Sequence, residues 1–255
     1  MNLDCDVSLA AAYKSRSQIA RVLSEDWCGR ELYCPACPAG HLYSTAANTK
    51  AIDFHCRGCG QLFQLKSSSK WDQQRIVDAA YAAMLMSIKS GRNPNLMILQ
   101  YGLNWTIENL LLVPRFFFTE SVIEKRNPLG EQARRAGWVG CNILLSRIPA
   151  DGKINVIANG MVRRPAKVRH EYKRMSSLAQ LGIQARGWTL DVLNTVRQLG
   201  REEFSLQEVY ACEKELQSLH PQNRNVRPKI RQQLQVLRDM RVLEFGAPGQ
   251  YRLRS

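Results

Sequence analysis

No apolar run in the sequence approaches the roughly 20 residues that a helix needs to cross a lipid bilayer. The first residues, which include Asp4 and Asp6, have no basic region ahead of an apolar core, so we expect no secretory signal peptide. Internal repeats and long low-complexity segments are also missing. We therefore expect a cytoplasmic protein without a membrane partner, whose 255 residues suffice for one large domain or two modest ones.

Acidic residues are scarce relative to basic ones. The 36 lysines and arginines outnumber 22 aspartates and glutamates, which leaves a formal net charge of +14. This balance favours a polyanionic partner, and nucleic acid is the commonest. A soluble protein with a cationic surface, or a peripheral membrane binder, would share the composition. The motifs must decide between these classes.

Four of the eight cysteines form two Cys-x2-Cys pairs, and the other four are scattered. Without an export signal, this pattern favours metal ligation over disulfides. Two such pairs close a tetrahedral zinc site with no open position. A redox pair is the alternative, but Gly58 and Gly60 supply the backbone freedom that such turns need. We predict a structural zinc ion held by Cys34, Cys37, Cys56 and Cys59.

A second pattern flanks the second cysteine pair. Asp53 precedes it and the triplet Gln64-Leu65-Lys66 follows it, each within a segment that alternates apolar and polar residues as half-buried strands do. Side chains two apart on a strand share a face, so Gln64 and Lys66 point the same way. Magnesium prefers hard oxygen donors, which Asp53, the Gln64 amide and the Leu65 carbonyl offer. With Lys66 orienting or deprotonating water, this order predicts a phosphodiester-cleaving site.

The remaining pattern predicts a mixed sheet with helices packed on it, followed by a winged helix. In the first region we expect strands over about 50–55 and 60–66, on either side of the second cysteine pair. Further elements are expected over 15–26 (helix), 71–89 (helix), 96–101 (strand) and 107–114 (strand). The second region starts near residue 183, and its first helix is expected over 188–199. A second helix should begin at a capping box formed by Ser205 and Glu208 and end at Pro221. A third helix over 226–240 and a hairpin over 241–254 should follow. Between the two regions, six basic residues within 163–174 favour phosphate binding without sequence reading.

Seven segments of the chain match one known family. They are SEDW (24–27), YCPAC (33–37), DFHCRGC (53–59), LKS (65–67), ARRAGWVGCNI (133–143), RGWTL (186–190) and IRQQLQVLRDMRVLEF (230–245). On these segments the chain resembles the DpnI family of restriction endonucleases, nearly end to end. The resemblance implies an α/β (α+β) PD-(D/E)xK nuclease core with an inserted zinc knuckle pair over residues 1–182 and a winged-helix domain over 183–255. It also implies magnesium-dependent cleavage of double-stranded DNA at adenine-methylated GATC, and we expect a monomer.

The resemblance also assigns roles. Asp53 and Lys66 match the family's metal ligand and catalytic lysine, whereas Gln64 stands where the family carries glutamate. An amide ligates magnesium without adding charge, so metal affinity should fall, although related nuclease branches use QxK. Trp138 matches the family's tryptophan that contacts the adenine methyl group. An aromatic surface is suited to this contact, because the methyl group adds apolar bulk in the major groove.

The basic residues around these positions complete the predicted DNA interface. Arg134 and Arg135, beside Trp138, would hold phosphates or read guanine. The third helix of the winged domain should enter the major groove by its amino-terminal end. At this end of the helix we expect contacts to phosphates or base edges from Arg227, Lys229, Arg231 and Gln232. On the wing, Arg252 and Arg254 should contact the DNA backbone.

Three functions fit these patterns. The first is a methylation-directed, magnesium-dependent endonuclease. The second is a reader of methylated adenine whose nuclease site has lapsed through Gln64. The third is a zinc-containing transcription regulator without nuclease ancestry, which a large separation of Asp53 from Lys66 would support. The bases read, the cut position and the number of catalytic metals stay open.

Overall fold

The computed structural model describes residues 1–46, 49 and 51–254, which form two compact units. Each unit draws on three separate stretches of the chain. The first contains Met1–Gln73, Met86–Phe118 and Asp151–Arg174, and the second contains Gln74–Leu85, Thr119–Ala150 and Met175–Ser255. The expected division of the chain at residue 182 stays a prediction.

The α-helices and strands of the described residues are numbered in chain order. The helices are α1 (Arg16–Glu31), α2 (Tyr81–Lys89), α3 (Pro165–Arg174), α4 (Ile183–Gln198), α5 (Leu206–Ala211), α6 (Glu213–Leu219) and α7 (Val226–Asp239). The strands are β1 (Tyr43–Ser44), β2 (Phe54–His55), β3 (Leu62–Ser68), β4 (Arg75–Ala80), β5 (Asn95–Tyr101), β6 (Ile107–Val113), β7 (Ile123–Lys125), β8 (Gly140–Leu144), β9 (Ile154–Ala158), β10 (Met161–Val162), β11 (Glu203–Ser205), β12 (Leu243–Phe245) and β13 (Gln250–Leu253).

The first unit is built on a seven-stranded sheet in the order β1-β2-β3-β5-β6-β9-β10. Strands β3 and β5 run parallel and the other pairs are antiparallel, so the predicted mixed sheet is confirmed. The predicted strands on either side of the second cysteine pair are β2 and β3, and Lys50 lies outside the described residues. The order of strands places the cysteine-bearing β2–β3 hairpin beside the buried centre of the sheet.

Helix α1 is longer than the sequence pattern predicts, because it continues past residue 26 to Glu31. Its buried residues recur at three- and four-residue spacing, which is the signature of one helix face packed on a core. The indole of Trp27 is fully buried and donates to the carbonyl of Asn2 at 2.8 Å. The face consists of Ala20, Leu23, Ser24, Trp27 and Cys28.

The predicted helix over 71–89 is wrong in its first half. Residues Arg75–Ala80 form β4, and only Tyr81–Lys89 is helical. Strand β4 pairs antiparallel with β8 in a second, three-stranded sheet of order β4-β8-β7. The β-branched side chains of Ile76 and Val77 suit a strand, and a partner some sixty residues away along the chain decides the conformation.

The predicted winged helix is confirmed in the second unit, where α4 to α7 precede the β12–β13 hairpin. Strand β11 adds a third strand in the order β11-β13-β12. The capping box is present, because the Ser205 side chain accepts from the Glu208 amide and the Glu208 carboxylate accepts from the Ser205 amide. The single helix predicted up to Pro221 is instead two helices, α5 and α6, that meet at Cys212. No glycine or proline marks this break in the sequence.

No helix within the described part of the chain is both long enough and apolar enough to span a bilayer.

Candidate functional site

The β2–β3 turn and the loop after α1 bring four cysteine sulfurs together. The Sγ atoms of Cys34, Cys37, Cys56 and Cys59 all lie within 4.8 Å of one another. Cys34 and Cys59 are 3.6 Å apart, and Cys37 and Cys56 are 3.5 Å apart. In a tetrahedral site with Zn–S bonds of about 2.3 Å, the sulfurs are about 3.8 Å apart. The cluster therefore fits a structural zinc ion, which would leave no ligand position open.

The backbone of the turn favours thiolate at Cys56. Burial raises the pKa of the Cys56 thiol, but hydrogen bonds from the backbone of Cys59 and Gly58 and from the Cys37 thiol outweigh burial and lower that pKa to about 7. At Cys34 and Cys59 burial dominates and raises the pKa of the thiol, to about 11 for Cys59. Gly60 has a φ of +71°, a left-handed conformation that other residues rarely adopt. The hydrogen bonds of the turn thus favour the deprotonated sulfur that binds zinc at Cys56 alone.

Asp53 lies directly beside the Gln64-Leu65-Lys66 triplet. Its amide donates to the carbonyl of Phe63 at 2.9 Å, and its carboxylate accepts from the amide of Leu65 at 2.6 Å. A strand residue directs its N–H and its C=O to the same side, so the Leu65 carbonyl also points towards Asp53. The carboxylate and this carbonyl therefore share one edge of β3.

The side chains of β3 divide between the two faces of the sheet. Phe54 and Phe63 are paired and buried, and strand alternation puts Leu65 on the same face as Phe63. Gln64, which is buried, and Lys66, which is half-buried, lie on the other face. Asp53 is half-buried, and its carboxylate lies at the amide of Leu65, the residue between Gln64 and Lys66.

Helix α1 brings a further carboxylate to this edge, from Glu25, which the sequence analysis missed. The Ser24 hydroxyl donates to the Ser67 hydroxyl at 3.0 Å, and a Cβ atom on Gly29 would lie 4.0 Å from the Phe54 ring. Burial raises the pKa of Glu25, Arg21 opposes that shift, and the charge of Asp53 adds to it. The sequence marks Glu25 only as part of the SEDW segment, and its proximity to Asp53 depends on how α1 packs on the sheet.

The loop between β7 and β8 carries the predicted methyl-reading tryptophan. Trp138 is half-buried, and the Arg135 guanidinium lies 4.7 Å from the centre of its ring. A Cβ atom at Gly140 would lie 2.8 Å from the same ring, so only glycine permits this packing. Arg134 and Arg135 are both exposed. The indole therefore contacts both a cation and a side-chain-free backbone segment, and the flanking arginines are exposed.

Most of the predicted DNA-contacting residues of the winged helix have partners within that domain. Arg227 pairs with Glu213 at 2.8 Å and stacks on Tyr210 at 5.1 Å. Surface ion pairs of this kind contribute little to stability, so phosphate can replace the carboxylate. Arg231 is exposed, Lys229 donates to Gln232 at 2.8 Å, Arg252 pairs with Glu203, and Arg254 pairs with Glu244 at 2.5 Å.

Comparison with protein families agrees with this architecture. A family model described as "DpnI: Dam-replacing family" matches residues 1–181, and one described as "DpnI_C: Dam-replacing HTH domain" matches residues 184–253. The chain belongs to the DpnI family. Membership supports a nuclease that binds DNA and resembles methylation-dependent restriction endonucleases, and it confirms the fold class that the sequence predicted.

Within the basic segment 163–174 of this DpnI-family protein, Arg163, Arg169 and Arg174 make contacts with other parts of the fold, so these three are not simply free to bind phosphate. Arg163 pairs with Glu171, and Arg174 pairs at 2.7 Å with Asp151, whose side chain is buried. Arg169 donates from Nε to the Cys34 carbonyl at 3.0 Å and from Nη2 to the Ala39 carbonyl at 3.1 Å. Helix α3 thus holds the first cysteine loop in place. A run of basic residues in the sequence does not indicate this structural role.

The second cysteine loop is anchored by α3 as well. The Tyr172 hydroxyl donates to Asn95 Oδ1 at 3.0 Å, and Asn95 Nδ2 donates to the Leu62 carbonyl at 2.9 Å and to Gln61 Oε1 at 3.2 Å. Burial raises the pKa of Tyr172 well above its ordinary value, so the phenol stays protonated as a donor. One helix therefore holds both halves of the zinc cluster against the sheet.

The purified protein should contain about one zinc ion per chain, and Cys34→Ser should abolish it, because three thiolates leave the tetrahedral shell incomplete. Metal analysis by mass spectrometry and a thermal melt check this. The control is Cys212→Ser, which makes the same change outside the cluster. Full zinc content in Cys34→Ser would contradict the assignment.

Arg169→Ala should accelerate zinc loss to a chromogenic chelator about tenfold, since residues that support metal ligands typically change affinity by about ten- to a hundredfold. Lys167→Ala removes an exposed cation from the same helix and should release zinc at the wild-type rate. Equal rates for both variants would show that the Arg169 contacts do not hold the cluster.

Proposed function

We propose that the protein is a magnesium-dependent endonuclease that cuts double-stranded DNA at GATC sites with methylated adenines. The observation that carries the proposal is the 2.6 Å hydrogen bond from the Leu65 amide to the Asp53 carboxylate. Asp53 is the only charged residue among the predicted magnesium ligands, and this hydrogen bond holds its carboxylate against the strand that bears Gln64 and Lys66. Membership of the DpnI family supports the same reaction.

The donors at this edge fit magnesium, since carboxylate, amide and carbonyl oxygens are the hard ligands it prefers. When bound, the ion would neutralise charge on the scissile phosphate and lower the pKa of the attacking water. Asp53 holds the cation with full charge, and Gln64 and Leu65 add neutral oxygens. Lys66 orients or deprotonates the water and stabilises the negative charge that develops on the phosphate oxygens.

Gln64 also favours a second candidate function, a methyladenine-DNA reader that binds without cutting. Its amide brings no charge to a site where the family carries glutamate, so the cation is held more weakly. Both candidates require methyl-dependent binding, and they differ only in whether the phosphodiester is cleaved.

We propose that Trp138 reads the methyl group. A methyl on adenine adds apolar bulk in the major groove, where a water-excluding aromatic surface binds it as it would a thymine methyl. Contacts with Arg135 and Gly140 would restrict the ring before DNA binds. Arg134 and Arg135 would bind the adjacent phosphates or a guanine edge.

We propose that the winged helix, residues 183–255, binds the same DNA as the nuclease domain, residues 1–182. The amino-terminal end of α7 would enter the major groove. Its exposed side chains include Arg227, Arg231 and Gln232, with Lys229 half-buried beside them. The wing would add backbone contacts from Arg252 and Arg254.

Purified protein should linearise plasmid that carries methylated GATC sites and leave unmethylated plasmid intact, and cleavage should require magnesium. Asp53→Asn and Lys66→Ala should each lower the cleavage rate by about a hundredfold or more, because each removes a charge that acts on the transition state. Lys70→Ala, which alters an exposed lysine just past β3, is the matched control.

Intact methylated plasmid across a full magnesium and manganese titration would instead favour the reader. In that case Gln64→Glu should restore cleavage by returning the missing charge. Cleavage that survives Asp53→Asn would refute the assigned site.

Trp138→Ala should lower the preference for methylated over unmethylated duplex about tenfold, since one methyl-sized contact is worth about that factor. Arg134→Ala should weaken binding to both duplexes equally and reduce the salt dependence, as loss of a phosphate contact does. Fluorescence anisotropy without divalent metal measures both ratios. An unchanged preference in Trp138→Ala would rule out this tryptophan as the methyl reader.

A further inference from the structure

The outer edge of the seven-stranded sheet carries three side chains to which neither the sequence patterns nor the proposed mechanism gives a role. Tyr43 of the edge strand β1 pairs with His55 of β2, and Arg57 follows in the turn that holds the second cysteine pair. We propose that these three residues, the edge cluster, bind a backbone phosphate of the DNA strand that is cut. The inference rests on the proposed function, since it takes duplex DNA as the partner.

The edge cluster lies on the face of the sheet that carries the polar residues of the Gln64-Leu65-Lys66 triplet. Phe54 pairs with Phe63 on the other face, so the side chain of His55, the next residue of β2, points to the face of the triplet's polar side chains. Tyr43 is the pairing partner of His55 and shares that face. The cluster and the proposed catalytic side chains are therefore open to the same approaching DNA.

The spacing along the strand suits successive phosphates. Hydrogen bonds from the Asp53 amide to the Phe63 carbonyl and from the Thr45 amide to the Asp53 carbonyl extend the pairing of β2 by one residue. Because a strand rises about 3.3 Å per residue, His55 lies about 7 Å along it from Asp53. A DNA strand presents one phosphate per about 3.4 Å of helix axis. A phosphate one or two steps from the one at Asp53 therefore comes within reach of the cluster.

The guanidinium of Arg57 is held in place without losing its donors. It is exposed and lies 3.9 Å from the centre of the Tyr43 ring, which itself lies 6.0 Å from the His55 ring. A guanidinium that lies on an aromatic ring uses its flat face for that contact. Its N–H groups lie in the plane, so they keep the fork geometry that binds phosphate. The ring thus orients the cation before DNA binds.

Arg57 also keeps its charge available. Arg163 and Arg174 of the basic segment are paired with carboxylates, and Arg169 donates to two carbonyls. Across the part of the chain that the structure describes, no carboxylate pairs with Arg57, and its contact is the neutral Tyr43 ring. A cation that is not already neutralised gains the full effect of counterion release when it binds phosphate.

The first test is binding of the zinc-loaded full-length protein to methylated and unmethylated duplex, without added magnesium or manganese, by fluorescence anisotropy across a salt series. Arg57→Gln should weaken binding to both duplexes about five- to tenfold and lower the slope of log affinity against log salt by about 0.9, the value of one phosphate contact. Arg16→Gln, the same change at an exposed position in the first turn of α1, should match wild type.

Tyr43 acts through Arg57 and is a positioning residue. Tyr43→Phe keeps the ring and should bind as wild type does. Tyr43→Leu should weaken binding about threefold, the value of an exposed cation–π contact, and leave the salt slope unchanged because the charge stays. In the Arg57→Gln background, Tyr43→Leu should have no further effect. Losses that add in the double variant would overturn this role.

A second test locates the phosphate. Duplexes that carry one uncharged methylphosphonate, moved step by step along each strand, should lose affinity for wild type at every contacted phosphate. At one position near the cut, Arg57→Gln should show no loss, because the contact is already missing. Equal losses in both proteins at all positions would refute a local phosphate site.

Arg57 lies between Cys56 and Cys59, so zinc content by mass spectrometry and a thermal melt accompany each variant. Should Arg57→Gln lose zinc, Tyr43→Leu and Tyr43→Phe give the same comparison from outside the cysteine loops. A stack that only stabilises the fold would lower the melting temperature of Tyr43→Leu and leave DNA affinity at the wild-type value, and that result would count against the cluster.

The outcomes distinguish this inference from the proposed function. Wild-type affinity and salt slope in zinc-loaded Arg57→Gln, in a protein that cuts methylated plasmid, would overturn the edge cluster alone. A lost phosphate contact in a protein that binds methylated duplex without cutting it would support the cluster and count against the endonuclease. Failure of the wild-type protein to bind duplex DNA would overturn both.

Discussion

The closure of the β2–β3 hairpin by four cysteine sulfurs is the constraint on which the rest of the site depends. Strand β2 is only two residues long, so backbone hydrogen bonds alone fix its register with β3 only weakly. A slip of one residue would turn Asp53 away from the Leu65 amide. Arg169 and Tyr172 from α3 brace the two cysteine loops against the sheet. The geometry of the cysteine cluster, the register of the sheet and the position of the Asp53 carboxylate therefore depend on one another.

Local patterns in the sequence predicted most of what depends on local chemistry. The cysteine pairs, the capping box at Ser205 and the strand around Gln64-Leu65-Lys66 each have a cause within a few residues, and each is found in the structure, although burial along the strand does not alternate. The failures involve distant partners. Strand β4 resembles a helix until β8 pairs with it, and the division between α5 and α6 has no local breaker.

The same distinction applies to the candidate site. The side chains of Asp53 and Lys66 are recognisable from their spacing, since the strands that carry them are neighbours in the chain. Glu25 and Arg169 are not, because their contacts are set by how α1 and α3 pack on the sheet. Arg169 donates to a carbonyl 135 residues away in sequence. A run of basic residues looks the same whether its members bind phosphate or brace a loop.

The ion pairs of the winged helix affect how strongly that domain can bind DNA. Arg227, Arg252 and Arg254 are each paired with a glutamate of the same domain, so part of its basic surface is neutralised before DNA binds. Non-specific affinity for DNA comes almost wholly from such cations, and exchanging a carboxylate for a phosphate gains less than filling a free site. Apolar contact with a methyl group is not weakened in this way. Under the proposed function, internal pairing would therefore raise the share of binding free energy that depends on methylation, which a protein that discriminates against unmethylated DNA requires.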